Sequence, residues 1–204
     1  SVIAKENSTF PPAPSGTHNA VACDVVDLGW VEKEFQGVKK RNLCVQFTFQ
    51  IDEINPDLDP PRPFGVRSAR FTNSLHEKSA LRAFLEKWFN RPLTADEQAN
   101  GVDLDAECIG RPALLSVIHV PNPKGGVYAN IGSCVPLMKG MAPLAIERGY
   151  KRVHERDGYV PPPGASGSAA DGEAASLEAA AQRSTLEQAD DGTVTLDDGE
   201  VLNF

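Results

Sequence analysis

The sequence predicts a mainly β fold, a small five-stranded Greek-key barrel with one long helix between its third and fourth strands. Residues 72–88 form the one strongly amphipathic segment, because Leu81, Phe84, Leu85 and Trp88 recur on a single helical face. Three runs with strand character precede this segment and two follow it within residues 1–160. The apolar helix face must be covered, so we expect it to lie on these strands.

Three strands are predicted before the helix. The first spans residues 18–27, and a loop follows at residues 30–41. The second has the clearest alternation, with one apolar face and one polar, uncharged face; its apolar residues are Leu43, Val45, Phe47, Phe49 and Ile51. A proline-rich loop at residues 55–63 separates it from a third strand at residues 64–72.

Helix-capping signals divide the middle of the chain. Ser74 with Glu77 predicts a capping box at the start of the long helix. Thr94 with Glu97 predicts a second capping box for a short helical turn, and residues 103–109 predict another turn that stops at Gly110.

Two more strands are predicted at residues 113–120 and 127–136, joined by a tight turn at Gly125 and Gly126. Residues 137–160 are ambiguous between a short helix with a basic end and a trailing strand. Three strands, one helix and two strands is the element order of the OB-fold, which binds oligonucleotides or oligosaccharides.

Charge and composition divide the chain into three parts: an extended N-terminal segment (1–15), one folded domain (16–160) and a disordered acidic tail (161–204). Residues 1–160 hold 19 Lys and Arg and 19 Asp and Glu, whereas residues 161–204 hold 1 and 9. The tail therefore carries the whole net charge of -8, and it contains too few apolar residues to build a core. Because the domain has equal numbers of basic and acidic residues, we do not expect it to bind duplex DNA through one very basic face.

The sequence indicates neither a metal site nor an enzyme. The four cysteines and four histidines are scattered without a CxxC pair, which favours buried reduced thiols. Phosphate-binding loops, GxSxG and HExxH motifs are absent, so we expect no catalysis and no cofactor. Since neither a signal peptide nor a long apolar run is present, we expect a cytoplasmic protein without a membrane partner.

Aromatic and basic residues fall where an OB-fold would hold a single strand of DNA, on its second and third strands and in the first and last hairpins. Aromatic rings stack on bases there and cations neutralise phosphates. Trp30 and Phe35 are equally compatible with a role as apolar side chains that close an open barrel end. The adjacent basic residues 39–41 are also compatible with an ordinary solvated surface. The candidate residues are Trp30, Phe35, Lys39, Lys40, Arg41, Arg67, Arg70, Lys124 and Tyr128.

The end of the tail combines acidic and apolar residues with a terminal aromatic residue. Such a segment can dock into basic pockets on partner proteins, although it is also compatible with a merely solubilising tail. The candidate partner-binding residues are Asp197, Asp198, Glu200, Leu202 and Phe204.

Several short patches between residues 21 and 136 resemble the OB-fold single-stranded-DNA-binding proteins of tailed phages. The resemblance is carried by TNSLHEKSALR (72–82), GVDL (101–104), Gly110, Pro112 and YANI (128–131). It implies a protein that coats single-stranded DNA in phage replication and recombination and recruits phage or host proteins through its tail in the host cytoplasm. The tail departs from the family in detail, because Val-Leu-Asn separates Glu200 from Phe204.

The sequence therefore predicts a non-enzymatic protein that binds single-stranded DNA with little sequence preference, and it leaves open whether copies of the chain form a homo-oligomer. A protein-interaction or virion-assembly module without nucleic-acid binding is the first alternative, and an oligosaccharide-binding OB domain is the second.

Overall fold

The structure is a computed structural model that describes residues 11–35 and 37–166, and it shows a mainly β fold. Six antiparallel strands form one open sheet, and few residues are helical. The strands are β1 (Gly16–Phe35), β2 (Val38–Asn55), β3 (Arg62–Arg67), β4 (Phe71–Thr72), β5 (Pro112–Pro121) and β6 (Val127–Val135). The helices are α1 (Ala80–Phe89), α2 (Ala95–Asn100) and α3 (Leu104–Cys108).

The long strand β1 organises the sheet, whose order is β3-β2-β1-β5-β6 with β4 paired to β2. The first residues of β1 pair with β5, from Gly16 opposite Val117 to Val21 opposite Pro112. Nearly the whole of β1 also pairs with β2. Within the described chain no hydrogen-bonded ladder joins β3 to β6, although the two strands contact each other. The sheet is thus strongly curved and open along that seam.

The core lies between β2 and α1, as the apolar patterns of both segments predict. Phe47 and Phe49 are fully buried beside Trp88, whose ring centroid lies 6.0 Å and 5.2 Å from theirs. The indole Nε1 of Trp88 donates to the carbonyl oxygen of Pro112 at 3.0 Å, which ties α1 to the start of β5. Burial of a ring of this size stabilises the fold by several kcal/mol, and the hydrogen bond satisfies its one polar atom.

The long helix begins later than its sequence predicts. Its N-cap is Ser79, whose hydroxyl accepts from the backbone N–H of Arg82 at 3.1 Å, so the prediction of Ser74 as the N-cap was wrong. Ser74 instead accepts the Ser79 hydroxyl through its carbonyl oxygen at 2.6 Å. The capping box of Thr94 is confirmed at α2, and α3 confirms the turn predicted before Gly110.

Two predicted boundaries were also wrong in the sheet. The predicted loop at residues 30–41 is a β-ribbon, because β1 and β2 stay paired from Trp30 opposite Leu43 to Phe35 opposite Val38. The predicted third strand is two strands, β3 and β4. Ser68 lies between them, and its hydroxyl accepts from the backbone N–H of Phe47 at 3.0 Å, a bond that takes the place of regular pairing. The sheet therefore has six strands where five were predicted.

Residues 142–166 form a strap that crosses β1 and β2, and they are neither the helix nor the strand that the sequence left open. Their regular structure is one 3-10 turn, Val153–Glu155. Side chains of the sheet bind strap backbone at both ends: Asn19 Nδ2 donates to the Ala142 carbonyl at 2.9 Å, and Asp27 Oδ2 accepts from Ser166 N–H at 2.8 Å. In between, Gln50 Oε1 accepts from Glu147 N–H at 2.8 Å. These bonds fix the strap on the sheet.

The helices in the described part of the chain are too short and too polar for any of them to cross a bilayer.

Candidate functional site

The β-ribbon distributes its basic residues over two faces. Arg41 pairs with Glu32 across the strands and Lys39 pairs with Glu34, so acidic residues stand opposite both cations. Lys39 Nζ lies 3.2 Å from Glu32 Oε1, and both side chains are exposed. Lys40 alternates with these residues, which places it on the other face. The three adjacent basic residues therefore do not form a single patch, and one face is partly neutralised.

Trp30 is half-buried between the ribbon and the strap. The guanidinium carbon of Arg41 lies 5.5 Å from the centroid of its indole ring, a cation–π arrangement. The strap contacts Trp30 at two places. The backbone N–H of Trp30 donates to the Pro163 carbonyl at 2.9 Å. Gly164 lies so close to the ring that a methyl group on it would be 2.6 Å from the indole Nε1. Trp30 is thus both a packing residue and a partly accessible ring beside a cation.

A groove of about 650 Å³ lies between β3 and the strap. Its floor is the polar face of the sheet, where Cys23, Thr48 and Gln50 contribute. Four cationic side chains line the groove. Arg62 and Arg67 belong to β3, and Lys151 and Arg156 belong to the strap. The only carboxylate among the described lining residues is Glu147. The groove therefore favours an anionic ligand.

The ion pairs around this groove are loose. Arg62 Nε lies 3.9 Å from Glu147 Oε1, and Lys151 Nζ lies 3.9 Å from Asp157 Oδ2 with both of those side chains well exposed. Exposed pairs at such distances contribute little and are screened by salt. A ligand with phosphate oxygens can consequently compete for these cations at small cost.

The floor of the groove stays uncharged at neutral pH. Burial raises the pKa of the Cys23 thiol to about 11, and its Sγ donates to the Thr48 carbonyl at 3.4 Å. Burial and the hydrogen bond with Cys23 raise the pKa of the Tyr150 hydroxyl as well. A thiol held in its protonated form is a poor nucleophile, so Cys23 contributes a neutral polar group to the floor of the groove.

The structure brings Arg67 into the groove but separates it from the other predicted residues. Arg70 lines a different pocket of about 380 Å³ near the start of α1, with His76 and Lys78. Lys124 and Tyr128 belong to the β5–β6 hairpin, which lies beyond the Gly16 end of β1, whereas the ribbon tip lies at the Phe35 end. The predicted residues thus occupy four places and not one surface.

Some predicted residues lie outside the described residues. Phe35 is described only through its backbone pairing with Val38, and its side chain is outside the described part. The whole predicted partner-binding end of the tail is also outside it: Asp197, Asp198, Glu200, Leu202 and Phe204.

No sequence pattern identifies Arg62, Tyr150, Lys151 or Arg156 as site residues. The basic segment around Lys151 was visible as a charged stretch, but nothing in its pattern predicts where it packs. Its place is set by hydrogen bonds to strands more than a hundred residues earlier in the chain, such as Arg152 Nε to Asp24 Oδ1 at 3.0 Å.

Within residues 11–35 and 37–166, no group of three or more His, Cys, Asp or Glu side chains is arranged to hold a metal ion.

No family model matches this chain, and no curated protein or solved structure shows significant similarity to it.

Proposed function

We propose that this protein binds single-stranded DNA without strong sequence preference. The observation that carries the proposal is the groove between β3 and the strap, in which Arg62 and Arg67 face the same space as Lys151 and Arg156. Four cations, two of them in loose ion pairs, over a neutral polar floor suit a phosphodiester chain. Because residues 1–160 as a whole are electrically balanced, a confined basic groove favours one strand over the broad backbone of a duplex.

An OB-type barrel, open between β3 and β6, is part of the same proposal. Its support is the element order, with the helices between β4 and β5, and the position of β1 between β2 and β5. The contact between β3 and β6 is where such a barrel would close. Trp30, with Arg41 against its ring, offers a stacking surface on the β-ribbon.

We further propose the setting of this activity as phage DNA replication and recombination in the host cytoplasm. The support is the sequence resemblance of residues 21–136 together with the acidic, Phe-terminated tail, which would recruit replication or recombination proteins.

The first experiment measures the anisotropy of a labelled oligo-dT, and of a duplex of equal length, at two salt concentrations. We expect tight binding of the single strand, weak binding of the duplex and a steep loss of affinity with salt. Changing Arg62 and Arg67 together to Ala should lower the slope of log affinity against log salt by about 1.4, since each phosphate contact with a single strand contributes about 0.7.

Arg148→Ala is the matched control, because Arg148 is an exposed strap residue that does not line the groove. Its affinity and slope should equal those of the unchanged chain. Absence of oligo-dT binding at low salt would overturn the proposed function, and equal affinity for the duplex would remove its single-strand preference.

A protein-interaction module is the second candidate, favoured by exposed apolar residues on the β5–β6 hairpin. Ile118, Val127 and Tyr128 are each 45 % exposed there. A partner captured through this hairpin, together with salt-insensitive behaviour toward DNA, would favour that function instead.

A further inference from the structure

The strap contributes half of the cations in the groove, and a buried ion pair holds it there. Asp24 of β1 is fully buried, with 0 % of its side chain exposed. Its Oδ1 accepts from Arg152 Nε at 3.0 Å, and its Oδ2 accepts from Val153 N–H at 2.7 Å. Both oxygens of one carboxylate thus bind consecutive strap residues.

Arg152 connects this anchor to a second element. Its Nη2 donates to Asp105 Oδ1 of α3 at 2.7 Å, while its side chain is 19 % exposed. A guanidinium shared between two carboxylates has little freedom to rotate. The strap is therefore fixed to β1 and to α3 at the same residue.

The 3-10 turn that follows brings the two strap cations together. Arg152 N–H donates to Glu155 Oε2 at 3.0 Å, and Arg156 Nε donates to the Lys151 carbonyl at 3.2 Å. Lys151 immediately precedes the anchored residue, and Arg156 closes the turn back onto it. Both line the groove opposite β3, whereas Arg152 itself is occupied by carboxylates.

A fully buried carboxylate is expensive to desolvate, and replacing such an ion pair with apolar residues is often neutral or stabilising. Its geometry gives this carboxylate a different role, because its two hydrogen bonds specify one position of the strap. We infer that Asp24 and Arg152 are positioning residues, which hold Lys151 and Arg156 as the second phosphate-binding wall of the groove. This inference rests on the proposed function, and it adds that the strap belongs to the binding surface through Lys151 and Arg156.

The test compares salt slopes for oligo-dT binding in the full-length chain. Changing Lys151 and Arg156 together to Ala should lower the slope by about 1.4, because two phosphate contacts are lost at about 0.7 each. Asp24→Asn removes no cation, yet it should lower the slope in the same direction because the wall is no longer held against the strand. A merely structural role for Asp24 would lower the melting temperature and leave the slope of the still-folded protein unchanged.

Glu53→Gln is the matched control, since it removes one exposed carboxylate of β2 that does not line the groove. We expect its slope to stay near that of the unchanged chain. If Asp24→Asn fails to fold, Arg152→Lys provides the second variant, because it keeps the charge but loses the guanidinium geometry that reaches both carboxylates.

The outcomes separate the two proposals. A slope that falls for the Arg62 and Arg67 double variant but not for the Lys151 and Arg156 double variant overturns the strap wall and leaves the DNA-binding function standing. A chain that does not bind oligo-dT at all overturns the function itself. Independently of DNA, hydrogen exchange should rise across residues 142–156 in Asp24→Asn; unchanged protection would contradict the anchoring role.

Discussion

The two tryptophans show how far a single residue can be interpreted from its neighbours in sequence. Trp88 continues the apolar face of α1, and it is buried as that spacing predicts. Trp30 has no such pattern around it, and its environment is set by Arg41 across the ribbon and by Gly164 from the strap. The sequence left a barrel-closing role and a stacking role both open for Trp30, and the structure places it half-buried beside Arg41.

Glu97 provides a pH-dependent prediction at the residue scale. A bidentate hydrogen-bonded pair with Arg91, at 2.7 Å for each bond, and the N–H of Thr94 lower the pKa of its carboxyl from 4.5 to about 2. The ionised carboxylate therefore makes its whole contribution to the free energy of unfolding above pH 4.5, and this contribution is lost as the pH falls toward 2. We expect Glu97→Gln to lower the melting temperature at pH 7, with the difference shrinking below pH 4.5.

Thermal unfolding followed by circular dichroism between pH 7 and pH 2.5 measures this difference. Glu77→Gln is the control, because Glu77 is an exposed glutamate outside the three helices. A melting-temperature difference for Glu97→Gln that is the same at both ends of this pH range would contradict the assignment.

At the scale of elements, the ribbon and the strap differ most from the sequence interpretation. Glycines and charged residues at positions 29–41 are typical of a loop, yet the chain remains paired through them. The pairing shifts register between Asp27 and Gly29, where Gly29 adopts φ +59° and donates to Asp27 Oδ1 at 2.9 Å. Such a bulge changes the twist of the strand without ending it.

Gly164 gives a prediction for the contact between these two elements. It has φ +82°, and a methyl group there would collide with the indole of Trp30. We expect Gly164→Ala to cost about 1–3 kcal/mol, the usual range for overpacking, and to move the strap off Trp30. The tryptophan emission should shift to longer wavelength, since Trp88 is buried and Trp30 gains contact with water.

Gly158→Ala separates the collision from backbone strain. Gly158 also has a positive φ, +77°, but an added methyl group would meet nothing within 4 Å. This control should lose about 1 kcal/mol through strain alone and keep its emission maximum. An unshifted emission in Gly164→Ala, at the same protein concentration and pH, would show that the strap does not cover Trp30.

At the scale of the whole molecule, the four cysteines report on the integrity of the core. All four are free and buried: Cys23, Cys44, Cys108 and Cys134. Burial raises the pKa of the Cys108 thiol to about 12 and raises that of Cys134 further, so their thiolate fractions at pH 8 are very small. We expect a thiol-specific chromogenic reagent to react slowly with the native chain at pH 8 and with all four thiols in denaturant.

The count of reactive thiols before and after denaturation checks this prediction. Rapid reaction of one or more thiols in the native chain would contradict the burial of that part of the core, and labelled-peptide mapping would identify it.

The sequence by itself determined the elements whose signal is local. The apolar face of α1, the alternation of β2 and the capping box of α2 are each produced by residues a few positions apart, and a period or a cap is enough to define them. Arg67 could be selected from sequence in a similar way, because it is a basic residue in a predicted strand. Local signals did not identify the N-cap of α1, which is Ser79. Ser74 is an equally suitable capping residue by sequence, and only the turn that joins the two serines distinguishes them.

Only the tertiary structure decided where residues 142–166 lie, and with them the groove. Lys151 and Arg156 join Arg62 and Arg67 because Asp24, at the centre of β1, binds the strap through both carboxylate oxygens. The free energy of those bonds depends on burial, which no local pattern encodes, since an acidic residue in a strand is ordinarily solvated. The groove is therefore a property of the folded chain, built from residues whose separate sequences carry no common motif.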